Sequence, residues 1–99
     1  VARIELAPQV LDDFDRFLDH MVRFGVVDAP ERIEAIIGAI DILIYSPLIG
    51  RPVKGGKREL VIGQDERGYV ALYRYVASLN IVFVLAIRSQ REKEFNAGT

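Results

Sequence analysis

Residues 50–76 read GRPVKGGKRELVIGQDERGYVALYRYV. A basic, glycine-containing loop, with Arg51, Lys54, Gly55, Gly56, Lys57 and Arg58, feeds two short runs rich in β-branched and aromatic residues. Runs of that kind, bounded by polar glycine-rich turns, read as strands, here Arg58–Ile62 and Tyr69–Val76. The segment Gly63–Gly68 fits a hairpin turn, and Asp65 and Glu66 inside it read as solubilising charge. A further apolar run, Asn80–Arg88, follows the short turn Ala77–Asn80, so the C-terminal half predicts a three-strand antiparallel meander. Along Tyr69–Val76 the alternation sets Tyr69, Tyr73 and Tyr75 on one side and Val70, Leu72, Arg74 and Val76 on the other. Val70 and Leu72 are assigned to the core side. Arg74 then lies at the core's edge, either in a functional role or paired with a helix carboxylate such as Glu34 or Asp41, because a buried guanidinium requires a partner.

Upstream, Val1–Ala7 alternates as a short strand. Pro8 suits a first helical turn, and Val10, Leu11, Phe14, Phe17, Leu18, Met21 and Val22 recur at three- and four-residue spacing as far as Gly25. Asp28 and Glu31 look like a capping pair, with Pro30 in the first turn of a second helix. That helix carries Ile33, Ile36, Ile37, Ile40, Leu43 and Ile44 and stops at Ser46–Pro47. The short connection makes the two helices an antiparallel hairpin. The fold class is therefore α+β: an N-terminal strand, then a helical hairpin packed on one face of a mainly antiparallel sheet that ends in the meander. One domain spans residues 1–99, with fraying expected over Asn96–Thr99.

Half of the chain is hydrophobic and 27% is charged, a globular composition. With no cysteine and one histidine, neither a disulfide framework nor a zinc site is expected. No apolar run approaches the ~20 residues of a membrane helix. Residues 1–20 carry Glu5, Asp12, Asp13, Asp15 and Asp19 where a signal peptide has an apolar core, so a soluble cytoplasmic domain is expected. Charge is uneven: residues 1–49 sum to −5 and residues 50–99 to +4. The basic half suits phosphate or an acidic partner, and it equally suits loops and strand edges that need solubility.

The basic set is Arg51, Lys54, Lys57, Arg58, Arg74, Arg88, Arg91 and Lys93. A twisted sheet gathers part of it on the face opposite the helices, where it can bind nucleic-acid phosphate. The tyrosine stripe can stack on bases or pack across the sheet. Glu59 reads as an ion-pair partner for a neighbouring arginine, and His20, between Asp19 and Met21, as a solvated helix residue. No nucleotide-binding glycine motif is present. A nuclease built from this set would rely on Arg and Lys for charge stabilisation, and on Tyr or a carboxylate for proton transfer.

The ordered series G-R-P, R-E-L, G-Y-V-x-L-Y-R-Y and V-F-V-L-A-I-R, preceded by L-A-P-Q-V-L-D-D-F, resembles the RelE/ParE family of type II toxin–antitoxin toxins over nearly the whole chain. The resemblance implies the same fold, a ParD- or RelB-like antitoxin partner, and operator DNA reached through that antitoxin. In the RelE-like branch, Lys and Arg on the central strands and a basic and aromatic tail cut mRNA in the ribosome. Here Glu59, Val61 and Val70 stand at those strand positions, and Phe95 replaces a tail tyrosine. The R-E-L and L-Y-R motifs look more like the ParE-like branch, which inhibits DNA gyrase. The resemblance then implies target binding by Arg88, Arg91 and Phe95, with Arg58, Tyr73 and Arg74 as the sheet surface beside them. The alternatives are a ribosome-dependent endoribonuclease using Arg51, Lys54, Lys57, Arg58, Arg88 and Arg91 as phosphate clamps, or a non-toxic co-repressor. Ser89 stands where relatives with an I-R-x-Q-R-E ending often have histidine, which implies attenuation. No cofactor, metal or membrane partner is implied, and homodimer versus toxin–antitoxin hetero-oligomer stays open.

Overall fold

The computed structural model describes residues 1–64 and 67–96. The expected hairpin-turn residues Asp65 and Glu66, and residues 97–99 of the expected fraying end, lie outside them. The chain runs β1 (Arg3–Leu6), α1 (Pro8–Arg23), α2 (Ala29–Ile42), β2 (Arg51–Val53), β3 (Lys57–Ile62), β4 (Tyr69–Val76) and β5 (Ile81–Ser89). The sheet order is β1-β5-β4-β3-β2. β1 lies parallel to β5 at one edge, and the other pairings are antiparallel. This is the α+β arrangement expected, with one strand more. The basic loop itself contains β2, which turns back on β3 through Gly55 and Gly56, both at positive φ. Two adjacent left-handed residues are a hairpin device, and glycine adopts them without a Cβ clash.

Two details of the helices differ from the sequence reading. Asp28 precedes α2 but makes no capping bond; its carboxylate instead takes Arg32 Nε at 3.1 Å. α2 ends at Ile42 rather than Ser46, because the next amides tighten onto carbonyls three residues back. Asp13 of α1 is the one buried charged residue among those described.

α1 contributes Val10, Phe17 and Met21 to the core, and α2 contributes Ile36 and Ile40. They close over Tyr69, Ala71 and Tyr73 of β4 and Val82, Val84 and Ile87 of β5. The tyrosine side of β4 therefore faces the helices, the reverse of the assignment from sequence. Arg74 points to the open face, where its Nη2 donates to Gly55 O at 3.0 Å, and pairs with neither Glu34 nor Asp41. Val70 and Leu72 are buried too, on the open side, which made the alternation of this central strand symmetric and unreadable.

β5 contains a bulge. Leu72 lies opposite Ala86 and Tyr73 opposite Val84, so Leu85 is an extra residue. Strict alternation after Val84 would send Arg88 toward the helices. The bulge instead turns Ile87 inward and Arg88 outward, opposite Val70. Beyond the end of β1, β5 would present an unpaired edge. Asp13 Oδ2 accepts the Ile87 amide there at 2.8 Å. Gln9 Nε2 and Arg16 Nη1 complete the carboxylate's shell at 3.0 and 2.6 Å.

Candidate functional site

Arg58 and Tyr73 face each other across β3 and β4. Arg58 Nη1 donates to Gly50 O at 2.7 Å and Leu48 O at 3.1 Å, and Gly50 N donates to Tyr73 Oη at 2.8 Å. Both sides of the Gly50 peptide are thus held by side chains. A Cβ at Gly50 would lie 2.7 Å from the Tyr73 ring and hydroxyl. The expectation that Tyr73 belongs to the sheet surface is corrected: it is fully buried. Burial raises its hydroxyl above the ordinary tyrosine value, against the opposing bond from Gly50 and the Arg58 charge. These two residues fasten the α2–β2 loop to the sheet.

On the open face, Arg51 grips Glu59 through Nε and Nη2 at 3.0 and 2.6 Å. Glu59 is thus an ion-pair partner, as its place in R-E-L suggested. Lys54 is exposed beside the hairpin turn, while Lys57 is half-buried. Arg88 follows along the same face: its guanidinium carbon sits 5.2 Å from the Phe95 ring centroid, and Nη1 donates to Glu92 O at 2.7 Å. The expected tail set is therefore split. Arg88 and Phe95 form one unit, whereas Arg91 projects on the helix side, into a groove with Phe17, Met21 and Tyr69.

Residues 89–92 are fixed by a network that sequence reasoning missed. Glu92 Oε1 accepts the Ser89 amide at 2.9 Å and Arg16 Nη2 at 3.1 Å, and Arg16 also holds Asp13. Burial opposes the Arg16 charge, but the bonds to Asp13 and Glu92 outweigh it and hold this guanidinium above its ordinary value. The one sequence signal was Asp13 itself, an acid at the helical spacing of Val10, Phe17 and Met21. His20 is exposed on α1 and packs against Phe24, with ring centroids 4.7 Å apart. Among the described residues no cluster of His, Cys, Asp or Glu could hold a metal, and no helix is long and apolar enough to cross a membrane.

The family model described as the ParE toxin of the type II toxin–antitoxin system parDE matches residues 4–94. Comparison with curated proteins gives no match. Among solved structures, the chain is similar to one from the chromosomal ParDE TA system of P. aeruginosa, at 21% identity and a TM-score of 0.72, covering 89% of this chain and 95% of that one. It is also similar to a chain of the intact E. coli RelBE toxin–antitoxin complex, at 17% identity and a TM-score of 0.63, covering 93% and 100%. At these identities the two structures speak for the fold.

Proposed function

The chain belongs to the ParE toxin family of type II toxin–antitoxin systems, and from that premise we propose that it arrests growth by binding DNA gyrase, without catalysing a reaction itself, until a cognate antitoxin neutralises it. The observation that carries this reading is how the cations of the sheet are used. Arg51 is committed to Glu59, Arg58 to the Gly50 and Leu48 carbonyls, and Arg74 to Gly55. At the three strand positions where the resemblance to RelE-like nucleases calls for Lys or Arg stand Glu59, Val61 and Val70. A nuclease of this construction needs unengaged cations around the scissile phosphate and a group to move the proton. A surface for protein binding needs neither.

In this reading Arg88 and Phe95 supply a stacked cation and ring on the open face, and Arg91 a second contact around the end of the sheet. Arg and aromatic residues are the side chains that most often anchor protein interfaces. The antitoxin, of ParD type, gives the pair access to operator DNA, and the cytoplasm is where such a target lies. The test is gyrase supercoiling with purified chain, beside translation with primer-extension mapping of the mRNA. Inhibited supercoiling with intact message is the expected result. Codon-phased, ribosome-dependent cuts would replace it with the endoribonuclease reading, and operator repression without either would leave a co-repressor.

A further inference from the structure

Ser89 is the last residue of β5, and the chain beyond it brings Phe95 back to Arg88. Two main-chain bonds tie the first turn of this tail: Gln90 N donates to Gly68 O at 2.9 Å, and Glu92 N to Ser89 O at 3.1 Å. Further bonds meet at Glu92. Its main-chain oxygen accepts Arg88 Nη1 at 2.7 Å, while its Oε1 accepts the Ser89 amide at 2.9 Å and Arg16 Nη2 at 3.1 Å. One residue thus holds Arg88 through its backbone and α1 through its side chain. Arg16 is itself anchored. Nη1 donates to Oδ1 of the buried Asp13 at 2.6 Å, and the guanidinium carbon lies 4.9 Å from the Phe17 ring centroid. Nη2 also reaches Ile87 O at 3.4 Å. Past the end of β1, the edge of β5 therefore meets an acceptor from Asp13, a donor from Arg16 and an acceptor from Glu92. That is the order of groups a neighbouring strand would offer, here supplied by three side chains.

We propose that Arg16 and Glu92 are positioning residues for the Arg88–Phe95 unit. Arg16, on α1, sets Glu92, and Glu92 sets the turn that places Phe95 against Arg88 on the open face. Neither side chain hydrogen-bonds to Arg88; both act on where its guanidinium and the ring stand. A planar guanidinium held by Asp13 and Phe17 presents its remaining N–H groups in one fixed direction. Both members of the Arg16–Glu92 pair are 31% exposed, so salt screens them less than it would a pair in open solvent. The consequence is one of population. A partner that needs the stacked arrangement binds more weakly in proportion to the fraction of chains that lack it. A tail stacked only about a tenth of the time binds about tenfold more weakly. The inference deepens the gyrase reading by adding two residues behind its target surface, and it rests on that reading for its consequence, not for the positioning.

The experiment follows the Arg88 side-chain signals by NMR in isotope-labelled full-length chain. The Phe95 ring, 5.2 Å from the guanidinium carbon, shifts them by its ring current, and F95L supplies the unstacked reference. E92A leaves Asp13 its bonds from Gln9 and Arg16, so the β5 edge stays covered. The Arg88 signals are expected to move most of the way to the F95L values in E92A and in R16A. In E92Q, whose amide oxygen still accepts from Ser89 and Arg16, they should stay near wild type. Inhibition of gyrase supercoiling should weaken about tenfold in E92A and R16A and less than about threefold in E92Q. Arg88 signals unmoved in folded E92A, or moved as far in E92Q, would overturn the proposal. Signals that move in E92A but not in folded R16A would overturn the part played by Arg16; if R16A does not fold, E92A decides. Supercoiling is scored separately. Undiminished inhibition by an E92A chain whose Arg88 signals have moved counts against the target surface. No inhibition by the wild type counts against the gyrase reading, while the NMR signals still decide the positioning.

Discussion

Replacing Asp13 by alanine removes three interactions at once: the acceptor for the Ile87 amide at 2.8 Å, the ion pair to Arg16 at 2.6 Å and the bond from Gln9 at 3.0 Å. The Ile87 amide is the costliest loss, because β1 ends before it and a buried donor without an acceptor costs about 1–3 kcal/mol. Breaking a fully buried ion pair costs about 3–5 kcal/mol, but the Arg16 side chain is 31% exposed. Water recovers part of its solvation, and about 1 kcal/mol is a fairer share for that partner. The sum is about 3 kcal/mol, which for a domain this small lowers Tm by roughly 12–24 °C. Asp13→Asn keeps a carbonyl for the Ile87 amide and loses the charge, so it should cost about half as much. Urea denaturation of the two variants with a common m-value measures both. A loss under about 1 kcal/mol in D13A would refute the assignment of this carboxylate as the cover of the β5 edge. Equal losses in D13A and D13N would move the energy from the strand edge to the ion pair.

Tyr73→Phe leaves the buried Gly50 amide without its acceptor and should cost about 1–3 kcal/mol in the same denaturation experiment. Burial raises the Tyr73 hydroxyl, so its contribution is intact below the ordinary tyrosine value near 10 and is lost as pH climbs through the raised folded-state value. The wild type should therefore lose more stability than Tyr73→Phe above about pH 10, and parallel alkaline curves would exclude this. Gly50→Ala drives a Cβ to 2.7 Å from the Tyr73 ring and 2.8 Å from Glu59 O. It should destabilise by about 1–3 kcal/mol or more, and a neutral result in thermal melts would show that the loop is not clamped. The combined R88A/R91A/F95A variant should abolish growth arrest while operator repression with the antitoxin persists, and arrest at wild-type level would remove the tail from the target surface. Ser89→His should deepen arrest, whereas equal arrest by the two chains would dismiss attenuation at that position.

Several elements were legible because local physics alone sets them. Pro8 and the spacing of Val10, Phe17 and Met21 give α1, and the β-branched and aromatic runs separated by short polar turns give β3, β4 and β5. β2 escaped notice because three residues, one of them proline, carry no period of their own; it exists as the partner of β3. The Asp28–Glu31 capping pair failed because Arg32 takes the Asp28 carboxylate one turn on. Of the candidate site residues, Tyr73 was read as surface and is buried, whereas Arg58 is half-buried and tied to the Gly50 and Leu48 carbonyls. A tyrosine on a strand looks the same in sequence whether its hydroxyl meets a ligand or the Gly50 amide.

By itself the sequence determined the order of the elements other than β2, the turn between β4 and β5, and the family, since these depend on spacing along the chain. Only the tertiary structure decided which way the sheet faces. β4 is apolar on both sides, and nothing within it ranks the tyrosine side above the valine side until the helices cover one of them. The extra residue at Leu85 then reverses the alternation of β5, sending Ile87 to the helices and Arg88 to the open face. A bulge belongs to the pairing of two strands and not to either one, so the Arg88 side chain acquires its direction from β4 rather than from its own strand.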